Sequence, residues 1–141
     1  MRIAFKECNE LISLIEGCYH ETALKLKLTD SEFDILYVLS AYEEGCNQSI
    51  LYKETGMTKS TANTTIKKME REQLLYLTRG TGRNTCVFLT EKGKQLMENT
   101  IYKVIQMENE IYDSWSKEEQ EIFLKLNRDF VEQLNKKIQD L

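Results

Sequence analysis

The sequence predicts a mainly α-helical fold that carries one small β-hairpin. Apolar residues recur at helical spacing over most of the 141 residues, and no proline interrupts them. Four Ser or Thr residues stand where helices are expected to begin, two of them in capping boxes. Residues 75–79 and 85–89 are rich in β-branched and aromatic side chains and flank a glycine-rich centre, which is typical of a hairpin.

The first two helices are expected before residue 45. An apolar stripe predicts the first over residues 3–26. The second begins at a capping box, in which Thr29 caps the helix and Glu32 reaches back to it. It is apolar on most sides and should run to about Glu44, where Gly45 stops it.

The next two helices form a tight pair. The third is short, covers residues 48–55 and ends at Gly56. Thr58 is the expected N-cap of the fourth, which reaches about Gln73. Two helices joined by a short glycine-containing turn, with a polar start on the second, indicate a helix-turn-helix.

Two helices follow the hairpin. Thr90 is expected to cap a fifth helix that runs to about Asp113. Ser116 and Glu119 form a second capping box for the last helix. That helix has apolar residues at strict four-residue spacing: Ile122, Leu126, Phe130, Leu134 and Ile138. A partner helix is the expected cover for this stripe, and packing inside the chain against the first helix is the alternative.

Charge is unevenly distributed along the chain. The formal net charge of −4 argues weakly against a nucleic-acid partner. Residues 47–92, however, hold eight Lys or Arg and four Glu, a net charge of +4, whereas the remaining residues carry −8. A polyanion interacts with local charge, so this basic segment predicts a local surface for it.

The fourth helix is expected to have two different faces. Ala62, Ile66 and Met69 recur at helical spacing and should pack inward. The other face offers short polar and cationic side chains: Lys59, Ser60, Asn63, Thr64, Lys67 and Lys68. In a DNA major groove, Asn can pair with adenine, the Thr methyl can contact thymine, and Lys can bind guanine or phosphate. The alternative is a solvated helix face that is rich in Thr.

This order of elements resembles the MarR family of bacterial transcription regulators. The similar stretches are LTDSEFDILYVLSAYEEG (28–45), NQSILYKETGMTKSTANTTIKKMEREQLLYLTRG (47–80) and FLTEKGKQLME (88–98). The resemblance implies a winged helix-turn-helix DNA-binding domain at residues 29–98. It also implies a helical dimerisation domain built from the N- and C-terminal helices, residues 1–28 and 99–141.

The implied function is that of a sequence-specific DNA-binding transcription regulator. Such proteins are homodimers that interlock through their first, fifth and sixth helices. The expected partners are a second copy of the chain and a pseudo-palindromic double-stranded operator, and the expected role is repression in response to a small-molecule or redox signal. The rival interpretation is a winged-helix module that binds protein without contacting DNA.

The polar face and the resemblance together predict the DNA-binding residues. Helix amides at the start of the third helix could hold a phosphate. Relatives often have Arg at position 64, so Thr64 implies a different or weaker base preference. Relatives typically have a longer wing loop with an Asp-x-Arg element, whereas the loop here, RGTGRNT (79–85), is shorter and lacks the Asp. Arg83 is the candidate for the minor groove and Arg79 the second choice. Without the acid Arg83 should be less pre-ordered, and a solvated turn charge is the alternative. The candidates are Gln48, Ser49, Thr58, Lys59, Ser60, Thr61, Asn63, Thr64, Lys67, Lys68, Arg79 and Arg83.

Two kinds of signal site are implied by relatives. Tyr19, Tyr37 and Tyr42 are candidates to line a ligand site, although aromatic residues at helical spacing also serve as ordinary core. Cys8 and Cys18 are candidates for redox sensing because they lie in the first helix, with inert core thiols as the alternative.

The sequence lacks the motifs that other classes of function require. No P-loop, G-x-S-x-G or H-E-x-x-H motif is present, so no enzyme is expected. The single His20 does not complete a metal site with Cys18 and Glu21 on one helical turn, and no metal or cofactor is expected. The N-terminus does not resemble a signal peptide and no apolar run is long enough to span a membrane, which predicts a cytoplasmic location.

Overall fold

The computed structural model describes residues 1–79 and 84–141. The elements are α1 (Ile3–Lys25), α2 (Asp30–Leu39), β1 (Cys46–Asn47), α3 (Gln48–Thr55), α4 (Lys59–Arg71), β2 (Leu75–Arg79), β3 (Thr85–Leu89), α5 (Glu91–Asn99), α6 (Ile101–Asp113) and α7 (Lys117–Ile138). They divide into two compact units, Met1–Lys103 and Val104–Leu141. The predicted class, mainly helical with a small β wing, is confirmed.

Side-chain caps start the helices where the sequence predicts. Thr29 and Ser116 each accept a hydrogen bond from the backbone of the Glu three residues later, and that Glu accepts one from the cap's own N–H. Thr58 and Thr90 each accept a bond from the backbone N–H three residues on. These bonds satisfy donors that a helix start otherwise leaves unpaired.

The second helix ends earlier than predicted. It stops at Leu39, not at about Glu44, and Ser40 is its C-cap. The Ser40 hydroxyl donates to the carbonyl of Tyr37, a local bond that competes with helix continuation. Turns follow, closed by the bond from Gly45 N–H to the carbonyl of Tyr42. They lead into the short strand β1, which the sequence pattern did not predict.

The predicted fifth helix is two helices. The prediction of one continuous helix from Thr90 to about Asp113 was wrong. The backbone leaves the helical region at Thr100, where φ is −126° and ψ is −82°. Thr100 is buried, and its hydroxyl donates to the carbonyl of Leu96 at 2.6 Å. α5 therefore ends at Asn99 and α6 begins at Ile101.

The predicted hairpin is confirmed. The sheet has the strand order β1-β3-β2, and both pairings are antiparallel. Val87 in β3 pairs with Leu77 in β2 on one side and with Cys46 in β1 on the other. The tip of the hairpin, residues 80–83, lies outside the described residues.

The core of the first unit is built under the helix-turn-helix. α2 packs against both α3 and α4, and α4 packs on β2. Twelve of its described side chains are almost fully buried: Ala23, Ile35, Leu36, Leu39, Leu51, Ala62, Ile66, Met69, Leu75, Val87, Met97 and Ile101. This arrangement fixes α4 by its apolar side and leaves its other side outward.

The second unit consists of most of α6 and all of α7. Trp115, in the turn between them, contacts Tyr112 with ring centroids 5.7 Å apart and Phe123 at 5.1 Å. α7, which the structure describes in full, buries none of its residues. No helix in residues 1–79 or 84–141 is long and apolar enough to cross a membrane.

Candidate nucleic-acid interface

The predicted helix-turn-helix is formed by α3 and α4. Asn47 is the N-cap of α3, and its side-chain oxygen accepts bonds from the Ser49 backbone at 2.9 Å and hydroxyl at 2.8 Å. Gly56 ends α3 in the left-handed conformation, with φ +70°, which only glycine adopts without strain. The chain then turns directly to Thr58, the cap of α4.

α4 has the two faces that its sequence predicts. Ala62, Ile66 and Met69 are buried, together with Thr65. The opposite face exposes Lys59, Ser60, Thr61, Thr64 and Lys67.

The helix tolerates its many threonines because their hydroxyls are paired inside it. Thr64 donates to the carbonyl of Ser60 at 2.9 Å, and Thr65 donates to the carbonyl of Thr61 at 3.1 Å. The Thr58 hydroxyl likewise donates to that of Thr61 at 2.9 Å. Because the hydrogen-bonding groups of these short side chains are paired within the helix, the outer surface of α4 is polar and carries no bulky groups. Such a surface suits a helix that enters a DNA groove.

Asn63 is held by α3. Its Oδ1 accepts hydrogen bonds from Gln48 Nε2 at 2.7 Å and from the Tyr52 hydroxyl at 2.5 Å. The predicted residues Gln48 and Asn63 are thus brought together. Tyr52 was not among the predicted residues, because nothing in the sequence shows that it meets a side chain eleven positions later.

Lys68 is paired with acids on two elements. Its Nζ lies 3.2 Å from Glu32 Oε1 on α2 and 4.0 Å from Glu72 Oε1. Burial tends to raise the pKa of the Glu32 carboxyl, but hydrogen bonds from Thr29 and Lys68 outweigh it and hold that pKa below its ordinary value. Lys68, predicted from the sequence only as a DNA-binding residue, therefore joins α4 to the start of α2.

The wing is described only at its base. Arg79 is exposed at the end of β2. Asn47 Nδ2 donates to Asn84 Oδ1 at 3.3 Å, which ties the start of α3 to the base of β3. Arg83, the candidate for the minor groove, lies outside the described residues.

The three candidate tyrosines do not share one cluster. Phe33 contacts both Tyr19, at a centroid distance of 6.1 Å, and Tyr37, at 6.0 Å. Tyr42 instead donates a hydrogen bond to Glu54 on α3 at 2.6 Å. Elsewhere in this unit, a cavity of about 280 Å³ is lined by Leu39, Glu43, Glu44, Leu89, Lys94, Met97, Glu98 and Tyr102.

The cysteines fall into two groups. Cys8 and Cys18, the redox candidates, are exposed on α1, whereas Cys46 is buried and Cys86 is half-buried. Burial, with smaller effects from Glu54 and Cys86, raises the pKa of the Cys46 thiol to about 11. Among the described residues no three acidic, His or Cys side chains are placed to hold a metal ion, and His20 Nδ1 lies 2.9 Å from Asp30 Oδ1.

Comparison with known proteins agrees with this architecture. Residues 26–83 match the model of the MarR family. The fold is similar to the regulator NMB1585 from Neisseria meningitidis, with 18% identity over 99% of both chains and a TM-score of 0.85. It is also similar to S. aureus MepR in its DNA-binding conformation, with 22% identity over 89% of this chain and 97% of that chain and a TM-score of 0.79.

A third similar structure contains a small molecule. It is NadR in complex with 4-hydroxyphenylacetate, with 14% identity over 92% of both chains and a TM-score of 0.71. No curated protein matches the chain. Residues 26–83 thus match the MarR family, and the chain has the fold of solved structures of MarR family regulators.

Proposed function

We propose that this protein binds operator DNA in a sequence-specific manner and regulates transcription from it in the cytoplasm. The observation that carries the proposal is the exposed face of α4. That face holds Lys59, Ser60, Thr64 and Lys67 on a helix whose other face is buried in the core. A rigidly mounted helix with short polar and cationic side chains suits the major groove, where base edges offer hydrogen-bond groups.

The local charge supports the same surface. Residues 47–92 carry a net charge of +4 in a chain of net charge −4. The N-terminus of α3 favours a phosphate through the helix dipole, and Gln48 and Ser49 lie there, with the Ser49 amide itself bonded to Asn47 Oδ1. Arg79 and Arg83 are proposed to reach the DNA from the wing.

We further propose that the protein acts as a homodimeric repressor. The structure leaves apolar side chains exposed on both terminal helices. On α7, for example, Leu126 is 58% exposed and Val131 57%, while on α1 Leu14 is 64% exposed. Large apolar surfaces of this kind are rare on a monomer, and a second copy of residues 1–28 and 99–141 is the proposed cover. A two-fold dimer would place its half-sites about 34–36 Å apart.

A small molecule or a redox signal is the proposed input. The NadR structure contains 4-hydroxyphenylacetate. The aromatic group of Tyr19, Phe33 and Tyr37 is the proposed place for an aromatic effector here, with Tyr42 as a further candidate. Cys8 and Cys18 are exposed on α1 and are the proposed residues for a redox response.

Fluorescence anisotropy tests the proposed function. The labelled duplex is the DNA just upstream of the protein's own gene, and a scrambled duplex of the same composition is the control. Tight binding that prefers the native duplex and weakens steeply with salt supports the proposal, because phosphate contacts release counterions. Equal binding to both duplexes, or no binding at low salt, contradicts it and favours a module that binds protein instead.

A further inference from the structure

Asn63 lies on α4 beside the exposed side chains, and its oxygen is already engaged. Oδ1 accepts one hydrogen bond from Gln48 Nε2 and one from the Tyr52 hydroxyl. A carboxamide oxygen has two lone pairs, so these two bonds use its accepting capacity. Within the part of the chain that the structure describes, Nδ2 donates to no partner, and its two N–H groups remain for an external acceptor.

The two donors also fix the orientation of the carboxamide. Gln48 and Tyr52 are four residues apart on α3 and therefore lie on one face of that helix. Burial raises the pKa of the Tyr52 hydroxyl above its ordinary value of 10.0, so the hydroxyl keeps its proton and can donate. If the Asn63 carboxamide alone turned over, its Nδ2 would face the Gln48 Nε2 donor, and that hydrogen bond would be lost.

We infer that Asn63 recognises a base through donation alone, and that Gln48 and Tyr52 impose this choice as positioning residues. The inference rests on the proposed DNA-binding function. Bidentate pairing of Asn with adenine needs Oδ1 to accept from the adenine N6 amino group, and here that oxygen is occupied. Guanine presents two acceptors in the major groove, O6 and N7, whereas cytosine presents only the N4 donor. Asn63 therefore selects guanine and rejects cytosine at one position of each half-site.

Selection from a randomised duplex pool, with the full-length protein, tests the inference. Asn63→Asp keeps an oxygen for Gln48 and Tyr52 but replaces the outward N–H groups with a second acceptor. We expect the variant to reverse the preference at one position per half-site, from guanine to cytosine, with a change of about tenfold or more in relative affinity. Overall affinity should fall for every sequence, because the added charge repels phosphate, so the readout is the preference and not the affinity.

A second variant removes one of the two donors without adding charge. Tyr52→Phe frees one lone pair of Asn63 Oδ1, so adenine should gain about 2- to 10-fold relative to guanine at the same position. Tyr76→Phe is the matched control, because Tyr76 lies on β2 and stacks on Phe88 at 5.1 Å, away from this network. It should leave the base preference unchanged. Thermal unfolding of each variant shows that the comparison is made on folded protein.

The outcomes separate the inference from the function on which it rests. A defined site with guanine at one position, reversed by Asn63→Asp and relaxed by Tyr52→Phe, supports the inference. A defined site that requires adenine or cytosine there, or that neither variant changes, overturns the inference and leaves the DNA-binding function standing. No enriched sequence with the wild-type protein at low salt overturns the proposed function, and the inference with it.

Discussion

The ion pair between Lys68 and Glu32 joins α4 to the first turn of α2. Glu32 is 6% exposed and also completes the capping box with Thr29. Lys68→Ala should lower the free energy of unfolding by roughly 1–2 kcal/mol, because the nearly buried Glu32 carboxylate loses its charged hydrogen-bond donor. The effect is no larger because the Lys68 side chain is partly exposed and solvent screens the pair. Urea unfolding measures this. Lys67→Ala, at the exposed neighbouring position, is the control and should leave the midpoint unchanged.

The same pair should make stability depend on pH. The folded-state pKa of the Glu32 carboxyl lies below the ordinary value of 4.5, so its contribution is present above pH 4.5 and is lost as the pH falls through the folded-state value. The difference in unfolding free energy between wild type and Lys68→Ala should therefore shrink on acidification. A difference that stays constant from pH 7 to pH 3 would show that Glu32 is not the partner that matters.

The Cys46 thiol should be unreactive in the folded protein. Its pKa of about 11 keeps it protonated at pH 8, and the thiolate is the nucleophile. Iodoacetamide treatment at pH 8, followed by mass spectrometry of peptides, should find Cys46 unmodified in native protein and modified in urea. Equal labelling in both conditions would contradict its burial.

At the residue scale, local signals were predictable and distant partners were not. Thr58 and Ala62 could be assigned from the sequence, because capping and helical periodicity depend on neighbours within four positions. The partners of Asn63 and Lys68 lie 15 and 36 residues away in sequence. Such contacts depend on how α2, α3 and α4 pack, which periodicity does not specify.

At the element scale, α5 docks on the chain through a glycine. A Cβ added at Gly93 would lie 2.1 Å from the carbonyl oxygen of Leu74. Gly93→Ala should therefore lower the unfolding free energy by about 1–3 kcal/mol through overpacking.

Gly17→Ala is the matched control in α1, where no described atom lies within 4 Å of the new methyl group. It should raise stability by about 0.5–1 kcal/mol, since Ala favours a helix. Equal effects of the two substitutions in urea unfolding would contradict the close approach.

Helix starts were predicted more accurately than helix ends. Every predicted cap is present because the capping side chain and its partner are three residues apart. The early end of α2 at Leu39 and the break at Thr100 depend on hydroxyl-to-carbonyl bonds from Ser40 and Thr100. A Ser or Thr hydroxyl forms such bonds inside continuous helices as well, as Thr64 does in α4, so the residue type alone does not indicate a break.

At the scale of the whole molecule, the apolar stripe of α7 should hold two copies together. Leu134→Glu places a charge on this stripe, and sedimentation should then show a shift from twice the chain mass of 16.6 kDa toward that mass itself. Lys125→Glu introduces the same residue on the opposite side of α7 and should remain dimeric. A Leu134→Glu variant that is still fully dimeric at low micromolar concentration would contradict this interface.

The sequence predicted the winged helix-turn-helix and the location of its polar face, because both follow from local patterns within residues 29–98. It could not predict which side chains on that face are exposed and which are bonded to other elements. Lys59, Ser60, Thr64 and Lys67 are exposed, whereas Lys68 pairs with Glu32 and the side-chain oxygen of Asn63 is bonded to α3. Only the packing of α4 distinguishes side-chain atoms that face outward from those bonded to other elements.

The first measurement to make is the salt dependence of operator binding, by anisotropy, for wild type, Lys67→Ala and Lys117→Ala. We expect a steep slope of log K against log salt for wild type. The slope should fall by about one for each phosphate that a lysine no longer neutralises. Lys67→Ala should therefore reduce it by about two in a dimer. Lys117→Ala, on α7, should give the same slope as wild type. Equal slopes for all three proteins, with operator binding intact, would contradict α4 as the DNA-reading surface.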